Sequence, residues 1–212
     1  MKTIFDTKVQ SKILEATLKY ADRGFSVIPI RSDKKPFTKW EQYQKRRSTA
    51  EEIRQWWDKW PSAMIGIVTG EVSEVLVIDC DNENAYRKFQ ELLPDSFITW
   101  IVKSPRGYHI YLLYPKGQPI GNATGIMEAV DVRGNGGYII APPSINAEGK
   151  SYSWLPGLAL GEVELGTVPD NINKLLYIYK GNAEARQQGA TMATNTFNKG
   201  GVIMTFFMLQ TV

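Results

Sequence analysis

The sequence predicts an α+β fold, and three observations carry that expectation. Amphipathic helical segments interleave with apolar strands as far as Pro94. A run of short strands follows, separated by Gly-rich and Pro-rich turns. One more helical segment then ends the patterned part of the chain, so a regular βαβα alternation is absent.

The first helix is expected over Lys8–Arg23, with Ile13, Leu14, Thr17, Leu18 and Ala21 as its apolar stripe and Gly24 as its stop. Phe25–Ile30 reads as a short strand interrupted by Pro29, and Arg31–Lys39 as a basic loop leading to Trp40. Ser48 and Glu51 have the spacing of a capping box. The helix behind them carries Ile53, Trp56, Trp57 and Trp60 before Pro61; tryptophans at helical spacing read first as core. Met64–Val68 is a buried-type strand closed by Thr69-Gly70, and the apolar strand Val75–Ile78 after it is expected to pair with it. Asn82–Leu93 is the second good helix, ended by Pro94. Strands are expected at Phe97–Val102, Tyr108–Tyr114, Ala129–Val132, Tyr138–Ala141 and Ser151–Trp154, and a last helix at Pro169–Lys180. Residues 181–200, rich in Gly, Ala, Gln, Asn and Thr, read as a linker. Residues 201–212 turn apolar again, either opening a further domain or docking on the core. The expected organisation is therefore one domain over 1–180 and a linker with a further segment over 181–212.

Composition narrows the chemistry. The chain has 212 residues, 43% of them hydrophobic, and a formal charge of +3, which suits a polyanionic partner without requiring one. The single cysteine, Cys80, excludes a disulfide framework and a cysteine zinc cluster. The single histidine, His109, leaves little room for a His-rich metal site. No secretory leader opens the sequence and no apolar run reaches the ~20 residues that span a bilayer, so no membrane partner is expected and a reducing, cytoplasmic setting is the default.

Val75-Leu76-Val77-Ile78-Asp79-Cys80-Asp81 is the most informative stretch. An apolar strand ends there in two carboxylates one residue apart, which strand alternation turns to one face, roughly 6.5 Å apart at ~3.3 Å per residue. A divalent metal between them is the functional reading; turn formation, with Asp81 capping the next helix, is the plainer one. Asp131 lies inside the apolar run 129–132, where a carboxylate needs a partner. Arg133 on the same strand face supplies one; a shared metal would be another. Ser104, Arg106 and His109 place a hydroxyl, a guanidinium and an imidazole around one turn, with Gly107 permitting close backbone approach, a set suited to phosphate oxygens. Lys34, Lys35, Lys39, Arg46 and Arg47 make the N-terminal part basic, either as solvated loop or as contacts to a triphosphate or nucleic-acid backbone.

In order, Lys-Lys-Pro…Trp (34–40), Gly-Ile-Val-Thr-Gly (66–70), Val-Ile-Asp-Cys-Asp (77–81), Ser-Pro-Arg-Gly-Tyr-His (104–109) and Asp-Val-Arg-Gly-Asn-Gly-Gly-Tyr-Ile-Ile-Ala-Pro-Pro-Ser (131–144) resemble the bifunctional DNA primase/polymerase (prim-pol) family of the archaeo-eukaryotic primase superfamily, over roughly residues 12–156. The resemblance implies an RRM-like sheet carrying the carboxylates, fused to an N-terminal α/β portion. It implies Asp79, Asp81 and Asp131 as catalytic ligands of two Mg²⁺ or Mn²⁺ ions. Ser104 and His109 resemble the element that holds the incoming nucleotide's phosphates, although one glycine rather than two precedes His109 and Ser104 stands further from it than in the usual spacing. Charge and position add Arg106, Arg133 and Lys34 to the nucleotide-binding set. The implied activity is template-directed primer synthesis and extension. Its partners would be a single-stranded DNA template, dNTPs or NTPs, and a helicase domain or protein C-terminal to this segment, in a prokaryotic plasmid or phage replication context. Two other classes fit the same residues: a metal-dependent nuclease or replication initiator, and an RRM-like binding module without chemistry.

Overall fold

The computed structural model describes residues 4–177, and it contains both helices and two antiparallel sheets. The chain divides into units 1–175 and 176–212; the linker and apolar tail expected at 181–200 and 201–212 lie outside the described residues. Among the described residues no helix is long and apolar enough to cross a membrane.

Helix α1 (Ile4–Asp22) stops at Gly24, whose φ of 88° is the left-handed conformation that glycine adopts freely. Strand β1 (Val27–Ile30) follows, then a 3₁₀ turn (Glu41–Gln44), helix α2 (Ala50–Lys59) and strand β2 (Met64–Val68). The capping box of α2 sits one residue later than expected: Thr49 accepts from the Glu52 amide, and the Glu52 carboxylate accepts from the Thr49 amide. Ser48 is instead buried, its hydroxyl accepting from the Val27 amide at 3.2 Å. Trp57 is core, as its spacing predicts, while Trp60 stacks on Phe37 with ring centroids 4.7 Å apart.

Strand β3 (Val75–Cys80) opens the second sheet, followed by α3 (Glu83–Gln90), β4 (Ile101–Lys103), β5 (Tyr108–Leu113), β6 (Ala123–Met127), β7 (Val130–Arg133), β8 (Tyr138–Ala141) and β9 (Ser153–Trp154). The last helix begins at residue 170 and runs to the last described residue. The large sheet has the order β6-β7-β3-β5-β4-β9, and the small one β1-β2-β8. Since β5 pairs antiparallel with both β3 and β4, the unit β3-α3-β4 is a split β-α-β crossover with β5 inserted, the arrangement of RRM-like sheets. The expected pairing of β2 with β3 does not form: β2 pairs with β1 and β8, and only Gly70 and Val75 bridge at the bend between the sheets. The N-terminal α/β portion is therefore completed by a strand that comes after the large sheet's β7.

One apolar core joins the two sheets. Val75, Val77 and Tyr111 from the large sheet pack in the same cluster as Ile28, Ile65, Ile67, Ile139 and α-helical Ile13, Tyr20, Ile53 and Trp57. The opposite face of β3, carrying Leu76, Ile78 and Cys80, is also fully buried, and α3 contacts this strand. Burial on both faces explains why β3 reads as a continuous apolar run rather than an alternating one.

Candidate functional site

Strand register sets the site. On β3, Asp79 lies directly opposite His109 of β5 on one side and Asp131 of β7 on the other. The three side chains make a row across the face that carries Val77 and Tyr111, the face turned to the small sheet. Arg133 lies two residues beyond Asp131 on the same face. Its Nη2 donates to Asp79 Oδ2 at 3.0 Å and to Asp131 Oδ2 at 2.9 Å. Asp131 Oδ1 accepts from the Gly125 amide at 2.9 Å. Both carboxylates are largely sheltered, with side-chain exposures of 17% for Asp79 and 20% for Asp131. The pairing of Arg133 with Asp131 that strand position alone predicts is present, and Asp79 shares it.

Asp81 follows a different path. Strand β3 ends at Cys80, and the Asp81 amide donates to the Ala129 carbonyl at 2.9 Å. Its carboxylate, half exposed, accepts from Arg106 Nη2 at 3.2 Å. Helix α3 is capped by Asn82, whose Oδ1 accepts from the Ala85 amide, so capping does not account for Asp81. Arg106 arrives on a tight turn closed by two 3.0 Å bonds, Ser104 N–H to Gly107 O and Gly107 N–H to Ser104 Oγ. A Cβ on Gly107 would overlap the Cys80 carbonyl oxygen and crowd the Asn82 amide, so only glycine lets this turn press against the end of β3.

Asp79, Asp81, Ser104, Arg106, His109, Arg133 and Lys34 all line one cleft of about 280 Å³ between the sheets. Asp131 does not line it, and meets it through Arg133. Lys34 comes from the basic loop before Trp40; its backbone has a left-handed φ of 66°, and its carbonyl accepts from Tyr138 Oη at 2.9 Å. One end of the cleft is where the chain passes between sheets. The two passages, after β2 and after β7, are bonded to each other: Thr69 Oγ1 donates to Gly134 O at 2.7 Å, and the Glu71 amide donates to Asn135 Oδ1 at 2.9 Å. Two of the quoted motifs, 66–70 and 131–144, thus meet in space.

His109 is only 4% exposed, and burial pulls its pKa down to about 4, opposed by Asp79 and reinforced by Arg133 and Lys34. It is neutral at pH 7. Its Nε2 lies 3.5 Å from Asp79 Oδ1, long for a hydrogen bond and not an ion pair while the ring is uncharged. Its Nδ1 is buried without a protein partner, a costly state that invites a ligand or water. Burial, with Asp79 and Asp81 adding, pushes the Cys80 thiol up to about 12, which removes it as a nucleophile.

The expected convergence of three carboxylates is met by two. Among the described residues no three acidic, histidine or cysteine side chains gather where one ion could hold them; Arg133 bridges Asp79 and Asp131, and Arg106 binds Asp81. The donor chemistry still suits a hard divalent ion, since carboxylate oxygens are what Mg²⁺ and Mn²⁺ take. Asp79 and Asp131 supply such oxygens, and Arg133 Nη2 lies against one oxygen of each.

Three lining residues were not anticipated. Asn122 binds Gly134 N and Gly136 O, fixing the passage after β7. Tyr138 anchors Lys34. The Tyr152 ring lies 5.7 Å from His109. The Gly-Asn pair at 121–122 is a turn signal that could have found Asn122; Tyr138 stands inside the quoted motif 131–144 without a role of its own, and nothing local marks Tyr152.

No curated protein matches the chain. The family model of the bifunctional DNA primase/polymerase N-terminal domain matches residues 17–171, which include both passages, the acidic row and the Ser104–Gly107 turn. With nearly three quarters of its length so matched, the chain belongs to the bifunctional DNA primase/polymerase family.

Proposed function

We propose that this chain is a template-directed nucleotidyltransferase that synthesises primers and extends them. The observation that carries this reading is the cleft itself: Lys34, Arg106 and Arg133 line it together with Asp79 and Asp81, around one space large enough for phosphates. The chain's family supplies the reaction class.

Mg²⁺ or Mn²⁺ ions on Asp79, Asp81 and Asp131 would acidify a primer 3′-hydroxyl and offset charge on the departing pyrophosphate. Around that chemistry, Lys34 and Arg106 bind phosphate oxygens at the cleft wall, and Arg133 turns from its carboxylates toward the triphosphate. His109 is neutral at rest, and a triphosphate beside it favours its protonated form, in which both nitrogens donate. Ser104 positions the turn through Gly107 and keeps its hydroxyl proton available to the nucleotide. The exposed cations Lys35 and Lys39 track the template backbone.

The deciding experiment supplies a single-stranded template, labelled nucleotides and Mn²⁺ or Mg²⁺, with no primer. Template-dependent products are expected. Shortened template without new strands would mean that the same carboxylates activate water, and the nuclease reading would replace this one.

A further inference from the structure

We infer that Arg133 is a resident counter-ion of the Asp79–Asp131 pair, which keeps divalent metal affinity low until a polyphosphate draws the guanidinium away, so that metal and nucleotide bind with positive coupling. The inference deepens the proposed function and rests on its metal-binding reading.

Asp79 and Asp131 are directly opposed on neighbouring strands, where like charges destabilise a sheet unless a cation intervenes. Arg133 Nη2 is that cation, within 3.0 Å of one oxygen of each. A single nitrogen thus holds the two oxygens that a bridging ion would take, and guanidinium and metal exclude each other there. Arg133 cancels one of the two carboxylate charges of the pair, and its removal leaves both uncompensated by that guanidinium. Coulombic attraction for a divalent cation grows accordingly in so sheltered a site. The second observation is His109 Nδ1, buried and unpartnered on the other side of Asp79. The row has unused polar capacity that points to a ligand, while its strongest anionic oxygens are occupied. Arg133 itself lines the cleft with Lys34 and Arg106, so an anion entering there competes for it with Asp79 and Asp131. Reciprocity of linkage then requires nucleotide to tighten metal binding and metal to tighten nucleotide binding by the same factor.

The test measures Mn²⁺ binding to the chelator-treated protein, without nucleotide, from the electron paramagnetic resonance of free Mn²⁺. Arg133→Gln should bind Mn²⁺ about tenfold or more tighter than the wild type. Arg133→Lys, which keeps the charge, should stay near the wild type. Adding Asp79→Asn to Arg133→Gln should erase the gain. If Arg133→Gln is too unstable to titrate, Mn²⁺ should raise its melting temperature and leave the wild type's unmoved. Equal or weaker Mn²⁺ binding by Arg133→Gln, or equal melting shifts, would overturn the counter-ion role while leaving the metal reading intact. No Mn²⁺ binding by either protein, even at millimolar concentration with nucleotide present, would overturn both.

Discussion

Arg46 and Arg133 both bind acidic side chains, and they do so to different ends. Arg46 donates to both oxygens of Glu52, at 2.9 and 2.7 Å. The same carboxylate accepts from Tyr43 Oη and from the Thr49 amide, each at 2.8 Å. Those donors, Arg46 foremost, hold the Glu52 carboxyl down to about 2 against the effect of its partial burial. Glu52 has no capacity left, and the cluster fastens the 3₁₀ turn to the start of α2. Arg133, by contrast, divides one nitrogen between two carboxylates, and the nearest histidine stands at 3.5 Å with its other nitrogen unpartnered. A saturated cluster contributes structure; an unsaturated one, sheltered and lining a cleft, can accept something else.

The widest separation between the clusters should come from removing the acids. Asp79→Ala with Asp81→Ala is expected to lower primer synthesis by about 10³-fold or more while the melting temperature stays within a few degrees of the wild type. Normal primer extension by that protein would erase the distinction between the two clusters.

Acid should then act on one cluster before the other. The folded pKa of His109, about 4, lies below its ordinary 6.5, so between those values the unfolded chain binds the extra proton. Stability is therefore full above pH 6.5 and falls as pH drops toward 4, by about 3 kcal/mol in all. Glu52, held at about 2 against an ordinary 4.5, begins to lose its own contribution only at the acid end of that window, so the slope between pH 7 and 5.5 belongs to His109. Urea unfolding at pH 7, 5.5 and 4.5 measures the slope, and His109→Gln should flatten it; a wild type with no slope would mean the imidazole is not buried neutral.

A smaller effect is expected from His109→Ala on catalysis: a rise of about tenfold in the apparent KM for nucleotide with a lesser change in kcat. An unchanged KM would detach His109 from the phosphates. The smallest is Thr49→Ala, which removes the cap of α2 at about 1 kcal/mol and leaves polymerase activity untouched.

Much of this was legible before any coordinates. Met64–Val68 and Tyr138–Ala141 match their strands residue for residue, because continuous apolar runs bounded by Gly and Pro admit few other readings. The acidic row was legible in part: the strand end marked Asp79 and the apolar run around it marked Asp131, but what makes them neighbours is a register, and register is not local. Asp81 was assigned to the same face as Asp79 on the premise that the strand continues, and it ends one residue earlier. Both Ser48/Glu51 and Thr49/Glu52 satisfy the capping-box spacing; only the burial of Ser48 against Val27 chooses between them. Strand β6 was not foreseen, since Ala123–Met127 contains a glycine at φ 66° and pairs irregularly with β7. The partners of β2 were misassigned because adjacency in sequence favours β3, whereas the bend at Thr69-Gly70 sends the chain to the other sheet.

That exchange of strands has a consequence for how the molecule is made. Strand β2 emerges from the ribosome with β1 available on one side, but the neighbour for its other side, β8, is synthesised only after every strand of β3 through β7. Until then the nascent chain carries an entirely apolar strand with one row of amide and carbonyl groups unclaimed, the kind of edge that recruits wrong partners. Placing a cleft between two sheets whose strands interleave in chain order obliges the first sheet to wait for the second.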